Sequence, residues 1–294
     1  MKAIVIRSLG GSYTVEAPEG VYECTARGIF RKKGISPVCG DEVEISFEQE
    51  GSAVIDKIYD RRTFIVRPPL ANLDVLVLVS STVDPKPNTL IIDKLTAIAN
   101  FKGIKPVIVF TKIDRTEPGE LTKIYRQCGF DVYEIDNTTG EGSEELAASL
   151  SGKLCAFTGN TGVGKSSLLN NIFPGIDIKT GETSKKLGRG RHTTRHVELY
   201  KLPGGGYVAD TPGFSSFDTN RYDIIFKDKL AGCFPEFERY EGNCRFPDCA
   251  HIKEKGCAVL EAVENGDIPR SRHDSYALMY EEASKLKEWE YKNV

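Results

Sequence analysis

Five short β-type runs rich in apolar residues stand near the start of the chain: Ala3 to Ile6, Ser12 to Val15, Val21 to Arg27, Asp41 to Phe47 and Ala53 to Ile58. Turn residues separate the runs, and strands this short at this spacing predict a small β-barrel of OB type over residues 1–68. Arg67 to Asn72 then forms a stiff, proline-containing connector. Beyond it the pattern changes. Asp74 to Val79 is a continuous apolar run of the kind that a strand covered on both faces shows. Helical spacing follows from Asn88 to Phe101, near Glu120 to Cys128 and from Ser143 to Leu150, interleaved with strand runs at Pro106 to Phe110 and Asp131 to Ile135. This alternation predicts a doubly wound α/β domain over residues 69–218, with a ligand site at the carboxyl ends of its strands. Residues 219–294 read as a separate helical domain ending in a helix from about Ser271 to Tyr291.

The α/β region contains one stretch with unmistakable chemistry. After the apolar run Leu154 to Phe157 comes Gly159-Asn-Thr-Gly-Val-Gly-Lys-Ser-Ser167, and then a helical run to Phe173. Gly159, Gly162 and Gly164 let the backbone curl so that successive N–H groups, with those of Asn160, Thr161 and Val163 between them, point inward at phosphates. Lys165 brings positive charge to the terminal phosphates, Ser166 offers a hydroxyl to Mg²⁺, and Ser167 opens a helix whose dipole adds to the attraction. Directly after the strand ending at Phe110 stands Thr111-Lys-Ile-Asp114. A carboxylate there accepts from both N1–H and the exocyclic amine of guanine, a donor pair that adenine lacks, so Asp114 predicts a guanine nucleotide. The stem of Lys112 can cover the ring face. Asp136 to Gly142 lies at the next strand end and could add backbone contacts to the base.

Downstream, Lys185 to His196 is basic, punctuated by glycine and without periodicity. It predicts a loop that orders around a γ-phosphate and Mg²⁺, with Thr193 or Thr194 as the second hydroxyl ligand. Two strands, His196 to Leu202 and Gly206 to Asp210, lead to Asp210-Thr-Pro-Gly213. Asp210 would hold Mg²⁺ through water, and the Gly213 N–H would sense the γ-phosphate. Phe214 occupies the place where many GTPases carry the glutamine that orients water, so His192 is the candidate substitute, its other reading being a plain phosphate or solvent contact. The guanine reader precedes the P-loop, and no second one follows Gly213. The domain is therefore expected to be circularly permuted.

Composition narrows the partners. The chain has 294 residues, a net charge of −3 and 28% charged residues, which disfavours nucleic-acid binding by bulk positive charge. No apolar run approaches the length of a membrane span and no signal peptide is evident, so a soluble, cytoplasmic protein is expected, with nothing demanding more than a monomer. Local basic clusters remain: Arg27, Arg31, Lys32 and Lys33 around Phe30, read as a loop; Arg61, Arg62 and Arg67 at the barrel exit; and Arg270, Arg272 and His273 at the last helix. A basic loop beside an aromatic suits RNA. Five of the eight cysteines are scattered, but Cys244, Cys249, His251 and Cys257 fall within fourteen residues. Three thiolates and one imidazole fit a closed structural Zn²⁺ site.

Taken together, the barrel, Thr111-Lys-Ile-Asp114, the P-loop ending at Ser166, Gly190-Arg-His-Thr-Thr194, Asp210-Thr-Pro-Gly-Phe214 and the Cys/Cys/His/Cys knuckle resemble the RsgA (YjeQ/YloQ) family of circularly permuted GTPases along essentially the whole chain. The resemblance implies an OB-fold that docks on rRNA, a zinc subdomain, and GTP hydrolysis stimulated by the small ribosomal subunit late in its assembly. The sequence departs from the usual pattern at Asp136-Asn137, where GTPases often show Ser-Ala in the last base-contacting loop. A GTP-binding RNA scaffold that hardly hydrolyses its ligand is the rival reading, and an ATPase a third.

Overall fold

The computed structural model describes residues 1–32, 34–48, 52–175, 197–210 and 224–287. The expectations on residues 185–196, which include His192, Thr193 and Thr194, and on Gly213 and Phe214 lie outside them. The short β-type runs become β1 (Lys2–Leu9), β2 (Ser12–Ala17), β3 (Gly20–Ala26), β4 (Glu42–Phe47) and β5 (Ala53–Ile58), with α1 (Gly28–Lys32) between β3 and β4. Hydrogen-bonded neighbours run β1-β2-β3-β5-β4, and β4 returns to β1 with Lys2 opposite Glu44, which closes the barrel. Only the β3–β5 pair is parallel. Alternate residues Val5, Val15, Val43, Ile45 and Ile55 fill the interior, as period two requires of a strand with one face inward. Within the basic stretch read as a loop, Gly28 to Lys32 form α1. Five residues are too few for periodicity to reveal.

The barrel belongs to the first of two units, formed by residues 1–77, 143–161 and 165–216. After the barrel come β6 (Phe64–Ile65) and β7 (Leu70–Ala71), a short antiparallel pair. Its setting absorbs two of the basic residues at the barrel exit. Arg61 grips the buried Asp41 with Nε at 2.7 Å and a second nitrogen at 2.8 Å, and Arg62 donates to Asp74 at 2.6 Å. Arg27 likewise bonds Asp56. The same unit holds α4 (Ser143–Leu150), β11 (Leu154–Thr158), α5 (Lys165–Ile172), β12 (Glu198–Lys201) and β13 (Tyr207–Asp210). β11 and β13 run parallel, β12 runs antiparallel to β13, and β12 also pairs with β1 where Arg7 faces Glu198. Ion pairs from Arg7 to Glu198 and from Lys201 to Glu16 reinforce this seam.

The second unit comprises residues 78–142, 162–164 and 217–294, so the chain passes into it within β8 (Val75–Ser81). α2 (Thr89–Phe101), β9 (Lys105–Thr111), α3 (Glu120–Gln127) and β10 (Asp131–Ile135) follow, and β9 and β10 are parallel from Val107 opposite Asp131 to Thr111 opposite Ile135. Asn88 caps α2 by accepting from the Ile91 N–H at 3.2 Å, the arrangement that its place before the apolar run suggests. The C-terminal part contributes α6 (Lys227–Leu230), 3₁₀ turns at Ala231–Cys233 and Pro235–Tyr240, α7 (Ala258–Asn265) and α8 (Arg270–Ser284). Phe234, Phe237, Val259 and Tyr276 form its core.

At the root of α8 the structure overturns an expectation. Arg272 is fully buried, and His273 is only 7% exposed, so neither is available to RNA. The Arg272 guanidinium donates to Glu236 at 2.7 and 3.3 Å, to Asp93 at 2.7 Å and to Thr96 at 3.2 Å. The rings of Phe234 and Phe130 lie 4.7 and 5.2 Å away, and Tyr125 donates to Asp93 at 2.9 Å. Burial works against the charge, but Glu236 and Asp93 outweigh it and raise the Arg272 pKa. Removing one partner from such a cluster leaves uncompensated charge in the interior. Arg272→Ala should therefore destabilise the protein by about 3–5 kcal/mol in urea unfolding, while Arg62→Ala, which opens a largely exposed pair, should cost less than about 1 kcal/mol.

Candidate functional site

The expected phosphate loop begins where β11 ends. Thr158 is buried at the strand's last position and Gly159 starts the turn. Gly162 and Gly164 take φ of +82° and +88°, a region that L residues enter only at a cost, so the curl depends on them. Val163 tucks its side chain inside, 3% exposed, while Asn160, Thr161, Gly162 and Ser167 lie at the surface. Lys165 arches back over the loop, its ammonium donating to the carbonyls of Gly159 at 2.5 Å and Asn160 at 3.1 Å. Ser166 follows in the first turn of α5, and Asp210 closes β13 at its carboxyl end, both half-buried.

In the second unit, Thr111 ends β9 fully buried and donates its hydroxyl to Val163 O at 2.5 Å. The Thr-Lys-Ile-Asp loop and residues 162–164 of the P-loop are thus fastened together within that unit. Lys112 takes a positive φ of 61°, and its ammonium reaches the Asp84 carbonyl. Thr82 secures the same turn by donating to Lys112 O at 2.9 Å. Asp114 is exposed, and with Asp136 it lines one open pocket of about 440 Å³. Asp136 caps its own turn: its carboxylate accepts from the Thr138 N–H at 2.7 Å and the Thr139 hydroxyl at 2.9 Å. These bonds, the backbone one foremost, hold its carboxyl below the usual range. Asn137 turns the other way and donates to Gly164 O at 3.1 Å. The pattern of residue types gave no hint of this second tie, save that an amide stands where a small residue is usual.

The four cysteine and histidine residues expected to bind metal come together. Their ligand atoms all lie within 4.8 Å of one another. His251 Nδ1 sits 3.6 Å from Cys244 Sγ and 3.3 Å from Cys257 Sγ, and the two sulfurs are 3.9 Å apart. Bonds of about 2.3 Å to sulfur imply tetrahedral edges near ~3.8 Å, so the set fits one zinc ion. Burial keeps the His251 imidazole below its ordinary pKa, in the neutral form that ligates. Outer contacts hold the loop: His273 Nε2 lies 2.7 Å from His251 O, and Tyr276 donates to Ala250 O at 2.8 Å. Cys257 also caps α7, its sulfur accepting from the Leu260 N–H at 3.5 Å. Among the described residues no helix is long and apolar enough to cross a membrane.

With this geometry in place, comparison with known proteins is decisive. The RsgA GTPase family model matches residues 58–220, and that of the RsgA N-terminal domain matches residues 2–55. The chain belongs to the RsgA GTPase family. It is 42% identical over 292 residues to the small ribosomal subunit biogenesis GTPase RsgA of Caldanaerobacter subterraneus subsp. tengcongensis, covering 98% of each chain. The protein of the same name from a Geobacillus species is 43% identical, with 96% of this chain and 97% of the relative covered. Among solved structures, YjeQ from Thermotoga maritima aligns with a TM-score of 0.81 at 34% identity, covering 97% of this chain and 99% of that one. YloQ, described as a circularly permuted GTPase, aligns with a TM-score of 0.78 at 33% identity, covering 97% and 96%. The fold is thus α/β, with an N-terminal OB-type barrel, a circularly permuted P-loop GTPase domain and a C-terminal helical zinc-binding subdomain, and this RsgA-family chain is a GTPase. Purified protein should carry one zinc ion per chain by elemental analysis, and Cys257→Ser, which removes a thiolate while leaving a hydroxyl able to cap α7, should lower that content to well under half.

Proposed function

We propose that this chain binds GTP with Mg²⁺, hydrolyses it to GDP and phosphate when seated on the small ribosomal subunit, and acts late in the assembly of that subunit. The bond from Thr111 to Val163 carries the nucleotide part of the reading, because it joins the guanine-reading turn to the phosphate loop. The names of the full-length relatives support the ribosomal part. In this reading the backbone N–H groups of residues 159–165 and the Lys165 ammonium bind the phosphates, Asp114 reads the base, and Ser166 and Asp210 position the metal. Mg²⁺, when bound, neutralises charge that develops on the phosphates. Thr193 or Thr194 completes the metal's hydroxyl ligands, Gly213 senses the γ-phosphate, and His192 is the candidate for orienting water. The zinc site is structural, since four protein ligands leave no open position. We divide the chain at residues 68 and 218 into barrel, GTPase and zinc domains, working as a cytoplasmic monomer.

The barrel is the proposed rRNA-docking module. Phe47 is 48% exposed and meets Tyr22 edge-on at 5.2 Å between ring centres, which offers a stacking face to an unpaired base. Val21, next to Tyr22 in β3, is 59% exposed, and Lys32 is exposed at the end of α1. Arg61 is committed to the buried Asp41, while Arg27 and Arg62, each half or more exposed, carry surface ion pairs with Asp56 and Asp74.

Multiple-turnover phosphate release at physiological salt should be slow for the protein alone and rise by orders of magnitude with purified small subunits. GTP binding without any rise would reject ribosome-activated turnover and favour the scaffold. In competition between GDP and ADP, Asp114→Ala should erase about 1.5–3 kcal/mol of guanine preference. An unchanged preference would remove Asp114 from the base site.

A further inference from the structure

A peptide group is planar and trans, so the C=O of one residue and the N–H of the next point to opposite sides of the chain. A donor that holds a P-loop carbonyl from outside the curl therefore aims the following N–H into it. Two side chains do this on successive peptide units. Thr111 holds the carbonyl of Val163 and so directs the N–H of Gly164. Asn137 holds the carbonyl of Gly164 and so directs the N–H of Lys165. The first belongs to the Thr-Lys-x-Asp signature. The second stands where the last base-contacting loop of GTPases often carries a small residue.

The surroundings make this amide specific to its task. Gly164 has φ of +88°, and a Cβ on it would come within 2.7 Å of Asn137 Nδ2 and 3.6 Å of Thr111 Oγ1. Its missing side chain is thus room for the amide as well as conformational freedom. Asp136, one residue earlier, is occupied with Thr138 and Thr139, and the Gly140 N–H donates to Asp136 O at 2.8 Å. The loop is closed on itself, which fixes the point from which Asn137 reaches out.

We infer that Asn137 is a positioning residue for the diphosphate: its amide sets the Lys165 N–H toward the β-phosphate of a guanine nucleotide, and it does not read the base. This rests on the nucleotide site proposed above. The role couples the two halves of recognition, because a base that seats the loop after β10 also seats the amide that shapes the cradle.

The test uses the full-length protein and competition of GDP and GMP against a fluorescent guanine nucleotide. Asn137→Asp keeps the shape but sets an acceptor against the Gly164 carbonyl, and Asn137→Ala simply removes the donor. GDP affinity should fall by about tenfold or more for the first and about threefold to tenfold for the second. GMP affinity, which lacks the β-phosphate contact, should stay within about threefold. Thermal unfolding without nucleotide monitors folding, and Asn137→Ala stands alone if Asn137→Asp proves unstable. Equal losses for GDP and GMP would overturn the inference by returning Asn137 to the base, and unchanged GDP affinity would overturn it by showing that the tie carries nothing. If the unaltered protein failed to bind GDP, the nucleotide site itself would be rejected; variants matching a protein that does bind GDP would reject the role of Asn137 alone.

Discussion

A guanidinium buried away from water is tolerated only if every face of it finds a partner, and the second unit is arranged around that demand. Arg272 draws Asp93 from α2, Glu236 from a 3₁₀ turn and aromatic rings from three further segments into one cluster. A well-packed apolar trio could serve stability as well or better. What the charge adds is geometry: a planar fork fixes the rotation of α8 about its own axis. The next residue, His273, then meets the carbonyl of His251, and Tyr276 one turn later meets Ala250. One helix thereby aligns the zinc knuckle with α2, which packs on β9, the strand ending in the guanine-reading turn.

The nucleotide site follows the same logic on a smaller scale. A phosphate cradle has no side chain of its own to define it, only peptide units that could rotate. Three glycines supply the freedom to curl, and freedom alone would leave the N–H groups scattered. Thr111 and Asn137 remove it again from outside. Preorganised donors of this kind spare a site the cost of reorganising when charge arrives.

Much of this was legible in the sequence. The barrel strands announced themselves as short β-type runs between turn residues, α2 through its helical spacing, and the zinc set through the spacing of its cysteines and histidine, because each depends on neighbours close along the chain. What escaped notice depends on partners far along it. Arg272 and His273 read as surface charge at a helix start, since nothing local tells a basic residue that carboxylates 36 and 179 positions away will enclose it. Arg61 likewise read as one of the basic residues at the barrel exit, until the buried Asp41 claimed it. α1 was missed for another reason, that one turn of helix leaves no periodic trace. The P-loop could be read as a motif, but not the outward ties on its carbonyls, because hydrogen bonds to backbone leave no residue pattern at the receiving end.

The seam between β1 and β12 has a mechanical consequence. β12 is a shared hinge leaf: one edge faces the barrel at Arg7 and the other lies along β13, with Glu198 opposite Asp210. Only two strand pairings therefore separate the barrel wall from the carboxylate at the end of β13. Hydrogen-bonded strands are stiff in shear and soft in twist, so a torque applied to the barrel by a large, rigid body would arrive at Asp210 as a change of angle. The barrel can act as a handle.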